Sequence, residues 1–311
     1  MVPRNSLCLI ILLATGTSSC GGAGGSAGAG GSAGAPAECD PILPPQAWAN
    51  WVMPNPVQSG LPNPANLTVS KSGNLVTDEV TGLIWQRNFD SRSFTWDEAK
   101  QHCACLELDG LHGWQLPSRI ELASLVDWTK TSPSIDASAF PGTPDENFWT
   151  ASPVTTNPGL AYLAFFLNGH TTYSDVTYQY RVRCVQAPTP VAGEHYTLTD
   201  GTVYDTQTKL TWQRVIPTAR TPWAEAQSYC AALELEGTGW RLPSINELQT
   251  LVDDSVNPAI DETAFPDTPS EYFWSSSPVI DDATRAWTAF FTNGSTYSFA
   301  ATAAKNARCV R

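Results

Sequence analysis

Carboxylates and cysteines are the residues of this chain whose type and spacing could do chemistry. Glu121 and Glu247 each lie three residues after a serine, in GWQLPSRIELASLVD (113–127) and GWRLPSINELQTLVD (239–253). A glutamate near a tryptophan, here Trp114 or Trp240, could act as a general base. The same Ser-x-x-Glu spacing is that of a capping box, in which Ser118 or Ser244 and the glutamate satisfy each other's backbone N–H groups at a helix start. That structural role accounts for both glutamates. Three aspartate pairs recur as well: Asp78 with Asp205, Asp127 with Asp253 and Asp136 with Asp261. Several such oxygens at one point would suit Ca²⁺, but aspartates also close turns, and the turn reading is the stronger. His102, His112, His170 and His195 show no metal spacing, and none recurs in the other copy. Ser275-Ser276-Ser277 lacks the glycines of a nucleophile elbow. No catalytic residue or metal ligand is assigned, ligand-binding residues stay unknown, and Ca²⁺ is the one cofactor left open.

The elements that must position these residues come in two copies. TGLIWQR (81–87) returns as TKLTWQR (208–214), and the offset holds through Trp96/Trp223, Ala99/Ala226 and Cys103/Cys230. It shortens by one residue at Trp114/Trp240 and by one more at Asp136/Asp261. Phe148-Trp149, Asn168-Gly169 and Arg183-Cys184 also have partners, in Phe273-Trp274, Asn293-Gly294 and Arg308-Cys309. Copies of this size imply two globular domains, at 66–186 and 196–311. Residues 187–195 form a Pro-rich linker, and 39–65 an N-terminal extension.

Within each copy, 67–78 reads as a hairpin turning near Ser72-Gly73, and 83–86 as a strand. Thr95 and Glu98 form a capping box opening a helix through about Leu106. In the second copy Thr221 is expected to cap, with Pro222 at the first helical position. Leu122, Leu125 and Val126, like Leu248, Leu251 and Val252, share one face of the helix that follows Ser118 or Ser244. Residues 161–174 read as a hairpin meeting at Asn168-Gly169. Two helices and several short antiparallel strands per copy make the fold class α+β.

Repeat symmetry pairs Cys103 with Cys184 and Cys230 with Cys309, each bridge closing most of a domain. Cys39 and Cys105 have no counterparts, and an exported chain is expected to join them. Export is the expectation because Arg4 precedes the apolar run LCLIILLA (7–14), which is too short to span a bilayer. Residues 1–20 resemble a bacterial lipoprotein signal, with Cys20 the lipidated residue and Thr17 standing where an aliphatic residue is usual. The Gly/Ala/Ser stretch 21–38 is then a tether. An outer-membrane or cell-surface location follows, with membrane contact through the lipid alone. The net charge of −13 disfavours nucleic acid, which needs a basic face.

VTDEVTGLIWQR, TWDEA, GWQLPSRIELASLVD, IDASAF and FWTAS together resemble the DUF1566 or Lcl C-terminal domain family. The MPNP and LPNP turns (53–56 and 61–64) do so too. The resemblance implies an extracellular C-type-lectin-like domain with likeness to formylglycine-generating enzymes. Its namesake is an adhesin domain binding sulfated glycosaminoglycans through basic surface, a mode the acidic charge of this chain opposes. The EPN, QPD and WND sugar-binding tripeptides are absent. The expected function is therefore non-catalytic adhesion, with a glycan or surface protein as ligand. A structural envelope or matrix role is the alternative, and an enzyme on the formylglycine-generating scaffold the remote one. The loops at 143–147 and 268–271, and at 155–159 and 280–285, differ between copies and are candidates for specificity.

Overall fold

The structure is a computed structural model, and it describes residues 39–188 and 195–311. The expected signal segment with Cys20, the expected tether and residues 189–194 of the expected linker lie outside the described residues. In the first repeat the strands β1 (Leu67–Val69), β2 (Leu75–Asp78) and β3 (Ile84–Gln86) form an antiparallel meander. The helices α1 (Trp96–Ala104) and α2 (Arg119–Ser124) follow. Next come the hairpin strands β4 (Asn147–Val154), β5 (Asn157–Phe165) and β6 (His170–Asp175). β7 (Val185–Gln186) closes the repeat by pairing with β3. The second repeat runs β8 (Tyr196–Leu198), β9 (Thr202–Asp205), β10 (Thr211–Gln213), α3 (Trp223–Ala231) and α4 (Ile245–Gln249). It ends in β11 (Tyr272–Val279), β12 (Asp282–Phe290) and β13 (Thr296–Ala300). The four small sheets are antiparallel, and the class is α+β. None of the described helices is long and apolar enough to cross a membrane.

Local chemistry explains the helix starts. The Glu98 carboxylate accepts from both the backbone N–H and the hydroxyl of Thr95, which fixes the first turn of α1. The second repeat differs from expectation here. Pro222 is itself the N-cap of α3, Trp223 is the first helical residue, and no side chain caps it. Pro222 stands where Thr95 stands in the first repeat. Its fixed φ still pre-sets the turn, but it has no side-chain oxygen to accept a bond.

α2 and α4 are six and five residues long, and every residue of each is buried. This corrects the one-faced reading: Leu125 is the C-cap of α2, and Val126 lies beyond it. Each helix has core on one side and the other repeat on the opposite side. The strand that follows supports the helix start. β4 and β11 leave regular register after Trp149 and Trp274. The irregularity lets Ser152 Oγ accept from Arg119 N (3.0 Å) and Ser277 Oγ from Ile245 N (3.1 Å). The FWTAS and FWSSS segments thus satisfy first-turn donors that a capping box leaves open.

The repeats share one core. A single buried cluster contains Trp85, Ile120, Phe140 and Phe166 of the first repeat with Trp212, Ile245, Phe265 and Phe291 of the second. Across the junction Thr171 N donates to Thr296 Oγ1 (2.9 Å) and Thr296 N to Thr171 Oγ1 (3.2 Å), a reciprocal pair on a pseudo-two-fold axis. Away from that axis the halves have diverged. Arg119 is buried and donates through Nε to Asp254 (2.9 Å) and through Nη1 to Gly294 O (2.9 Å). The two-fold counterparts of Arg119 and Asp254 are Ile245 and Trp128, so an ion pair on one side is matched by an apolar pair on the other.

The extension 39–65 is a strap over both repeats. Cys39 is bonded to Cys105, and Asp40 accepts from Gly113 N (2.6 Å). Ala47 O accepts from Asp254 N (3.0 Å), and Trp48 stacks on His195 at 5.4 Å. Pro54 O accepts from Asn246 Nδ2 (2.7 Å) before the chain enters β1. Cys103–Cys184 and Cys230–Cys309, with Cα separations of 5.4 and 5.3 Å, tie the first helix of each repeat to its end.

Candidate functional site

The duplicated motif forms the same cap twice and then meets different neighbours. Ser118 N donates to Glu121 Oε2 (2.6 Å) and Glu121 N to Ser118 Oγ (3.3 Å); the Ser244–Glu247 distances are 2.9 and 3.1 Å. Trp114 and Trp240 are buried, each in a smaller cluster within its own repeat. Glu247 also takes a two-point ion pair from Arg241, both bonds 2.6 Å. Asn55 of the strap completes that site, donating to Glu247 Oε1 (3.3 Å) and accepting from Ser244 Oγ (2.7 Å). Glu121 has no ion-pair partner among the described residues, and burial pushes its carboxyl above its ordinary value.

The aspartates are placed at turns. Asp78 accepts from Val80 N (2.9 Å) and Thr81 Oγ1 (2.8 Å), Asp127 from Thr129 N (3.0 Å), and Asp136 from Ser138 N (2.8 Å). Burial raises the carboxyl of Asp78. Asp205, Asp253 and Asp261 repeat these turns, accepting from Gln207, Ser255 and Thr263 backbone N–H groups at 2.8 Å each. The fold nevertheless brings Asp78, Asp127 and Asp136 to one cavity of about 210 Å³, with Lys130 at 2.9 Å from Asp127. Strap residues Pro54 and Val57 and the side chain of Leu67 line its apolar part. In the second repeat Tyr196 takes the register position of Leu67, each opposite its aspartate, Asp205 or Asp78. Its phenol is raised well above its ordinary value by burial and by the charges of Asp205, Asp261 and Asp253. The second repeat therefore sets its own aromatic side chain among Asp205, Asp253 and Asp261, the counterparts of the three carboxylates that border the cavity in the first. Among the described residues no group of three or more His, Cys, Asp or Glu side chains is arranged to hold a metal ion.

The histidines stay apart. His102 stacks on Phe94 at 4.6 Å, and His170 packs between Trp287 and Tyr297. Burial lowers both from the usual imidazole value. His112 is exposed near Glu107 (3.9 Å), and His195 lies 3.5 Å from Asp205. Cys103 and Cys105, the CxC pair, are bonded to different partners.

Two expectations about loops need correction. Thr143 and Thr268, which begin the first divergent loop pair, are buried acceptors for Arg183 Nη2 (2.8 Å) and Arg308 Nη2 (2.7 Å). Thr155, which begins the second in the first repeat, donates to Asp254 O. Both loops are partly spent on the scaffold. Arg183 and Arg308 are functional in the architectural sense, a role that sequence reasoning missed. Each is buried, lies over Phe140 or Phe265 at 4.6 Å, and donates to the backbone carbonyls of the WQR segment. Burial pushes both guanidiniums down to about 9. The available signal was a repeated arginine beside a paired cysteine in a chain with few charges.

The WQR segment, the Ser/Glu cap, the FW strand and the RC terminus thus form one connected framework, present twice. The family model of the Lcl C-terminal domain matches residues 74–186 and again 201–311. The chain belongs to the Lcl C-terminal domain family. No curated protein matches the chain. In these two Lcl C-terminal domains the recurring motifs hold the framework.

Proposed function

We propose that the protein is a lipid-anchored, extracytoplasmic binding protein whose paired Lcl C-terminal domains present C-type-lectin-like surfaces to a glycan or surface protein, without catalysis. One observation carries this reading. The carboxylates repeated in both copies already accept hydrogen bonds in caps and turns, while the cavities beside them are bordered by strap residues and apolar side chains. Clefts that set apolar walls beside charged and polar groups, as the Asp78–Asp127–Asp136 cavity does, suit ligand binding. The disulfides at Cys103 and Cys230 argue against chemistry that needs a reactive cysteine pair. The acidic charge of −13 favours neutral or cationic ligands over sulfated glycans.

The shared core favours a second reading, a structural envelope protein that packs against protein partners as one rigid body. A glycan array probed with the full chain, with and without Ca²⁺, separates the two. Binding to defined glycans supports adhesion through sugars. Silence across the array together with a stoichiometric protein partner in pull-down supports the envelope role. Silence in both assays would overturn the binding reading altogether.

A further inference from the structure

We propose that the first repeat binds an arginine side chain of a protein partner, its guanidinium taking against Glu121 the place that Arg241 takes against Glu247. The proposal rests on the binding reading above and names one ligand chemistry for it.

Gln115 and Arg241 occupy the same backbone position. Each lies three residues before the cap serine, and each is bridged to the closing strand, Gln115 N to Val185 O (2.8 Å) and Arg241 N to Val310 O (2.9 Å). In the second repeat the arginine there neutralises the buried cap glutamate through two parallel bonds, the geometry in which a guanidinium fork fits a carboxylate best. In the first repeat glutamine replaces arginine, and its amide is turned elsewhere. Gln115 Oε1 accepts from Leu43 N (3.1 Å), and its Nε2 donates to Pro41 O (3.1 Å), which fastens the strap.

Glu121 is left 5% exposed. Its Oε2 serves the cap, and no donor among the described residues reaches Oε1. An ionised carboxylate in this setting needs a counter-charge, because burial without one is costly. Glu121 lines a cavity of about 490 Å³ together with Pro44, Pro45, Asn50, Trp51 and Leu116. That volume lies within the roughly 300–1,000 Å³ of small-ligand pockets. No lysine or arginine lines it. Trp51 is 8% exposed, and its indole N–H has no acceptor among the described residues. A ligand offering a planar cation with a neighbouring carbonyl oxygen would match both groups, as an arginine in a peptide does. Arginine suits the site better than lysine because its flat, weakly hydrated head stacks on apolar and aromatic faces while bonding in plane.

The test uses the full chain, with folding of every variant checked by circular dichroism. Calorimetric or NMR titration compares acetyl-Gly-Arg-Gly-amide with its lysine counterpart and with glucosamine. The arginine peptide is expected to bind the wild type at least about tenfold more tightly than the lysine peptide, reflecting the fork geometry. Glu121→Gln keeps a capping-box residue and is expected to weaken arginine binding by about tenfold or more, as loss of a buried charge partner does. Gln115→Arg supplies the counter-charge from within and is expected to abolish binding while leaving Glu121 in place, so the proposal stays testable if the first variant misfolds. Glu107→Gln removes an exposed charge and should leave binding unchanged. Equal affinity in Glu121→Gln and wild type, no arginine-dependent binding, or a preference for glucosamine would overturn the proposal. Those results would leave the glycan and pull-down outcomes standing, so this inference and the broader reading can fail separately.

Discussion

At the scale of single residues, the two cap glutamates show how one local device acquires different electrostatics. The Ser118–Glu121 and Ser244–Glu247 bonds were legible in the sequence because their partners are three residues apart. The Arg119–Asp254 pair was not, because its partners lie 135 residues apart and meet only when the repeats dock. Burial holds the Glu121 carboxyl above its ordinary 4.5. The folded protein therefore takes up a proton more readily than the unfolded chain. That contribution to stability is complete below the ordinary value and is lost as pH rises through the raised one. Glutamine at 121 removes the dependence. The melting temperature of Glu121→Gln relative to wild type should therefore climb as pH rises above the ordinary carboxylate value. A difference that stays constant across that rise would contradict the assignment. Asp254 is raised for the same reason, against the pull of Arg119. Arg119→Met should then cost about 3–5 kcal/mol, the usual penalty for leaving a buried charge without its partner, as read by denaturant unfolding.

At the scale of elements, periodicity located α2 and α4 but misjudged their setting. Leu122, Leu125 and Val126 do face core, yet Arg119 and Ala123 on the other side are buried too. A helical pattern reports which face is apolar, and it is silent about a second repeat arriving over the polar face. Hairpin turns were legible because Asn-Gly has a specific conformational meaning. At Gly169 and Gly294 φ is +82° and +76°. A Cβ there would come within 2.3 Å of Val126 Cγ1 and 2.4 Å of Val252 Cγ1. These glycines let the turn press against the end of the short helix. Gly169→Ala and Gly294→Ala should each destabilise by about 2 kcal/mol or more, combining backbone strain with overpacking. Urea denaturation checks this, and a loss under about 0.5 kcal/mol would show that the turn can move away from the valine. Each position also has a second close neighbour, the Trp128 ring at 3.3 Å from the Gly169 Cβ position and the buried Arg119 guanidinium at 3.1 Å from that of Gly294.

At the scale of the whole molecule, duplication was plain in the sequence, and the union of the copies was not. Two sequence repeats with a Pro-rich join looked like two separate domains. The described residues of the two repeats fall in one compact unit, with a core drawn from both. Interface residues such as Trp128, Asn246, Tyr162 and Thr296 read as ordinary core or strand positions when each copy is considered alone. Both repeats are expected to unfold in one calorimetric transition whose calorimetric and van't Hoff enthalpies agree. Two resolved transitions would mean that the shared core does not couple them.

The strap has a consequence in time as well as in space. Asn55 leaves the ribosome 192 residues ahead of Glu247, the residue it must meet. The donor to its Oδ1, Ser244, is almost as late. A chain growing from its N-terminus can close the Cys39–Cys105 bond once the first repeat has emerged and can make the local bonds of Asn55 to Pro62 and Asn63, yet the second-repeat partners of Pro54 and Asn55 arrive only with that repeat. A product that stops between the repeats keeps that stretch loose, with Trp51 and Met53 beside it. Full seating of the N-terminal segment thus reports that the C-terminal half has been made.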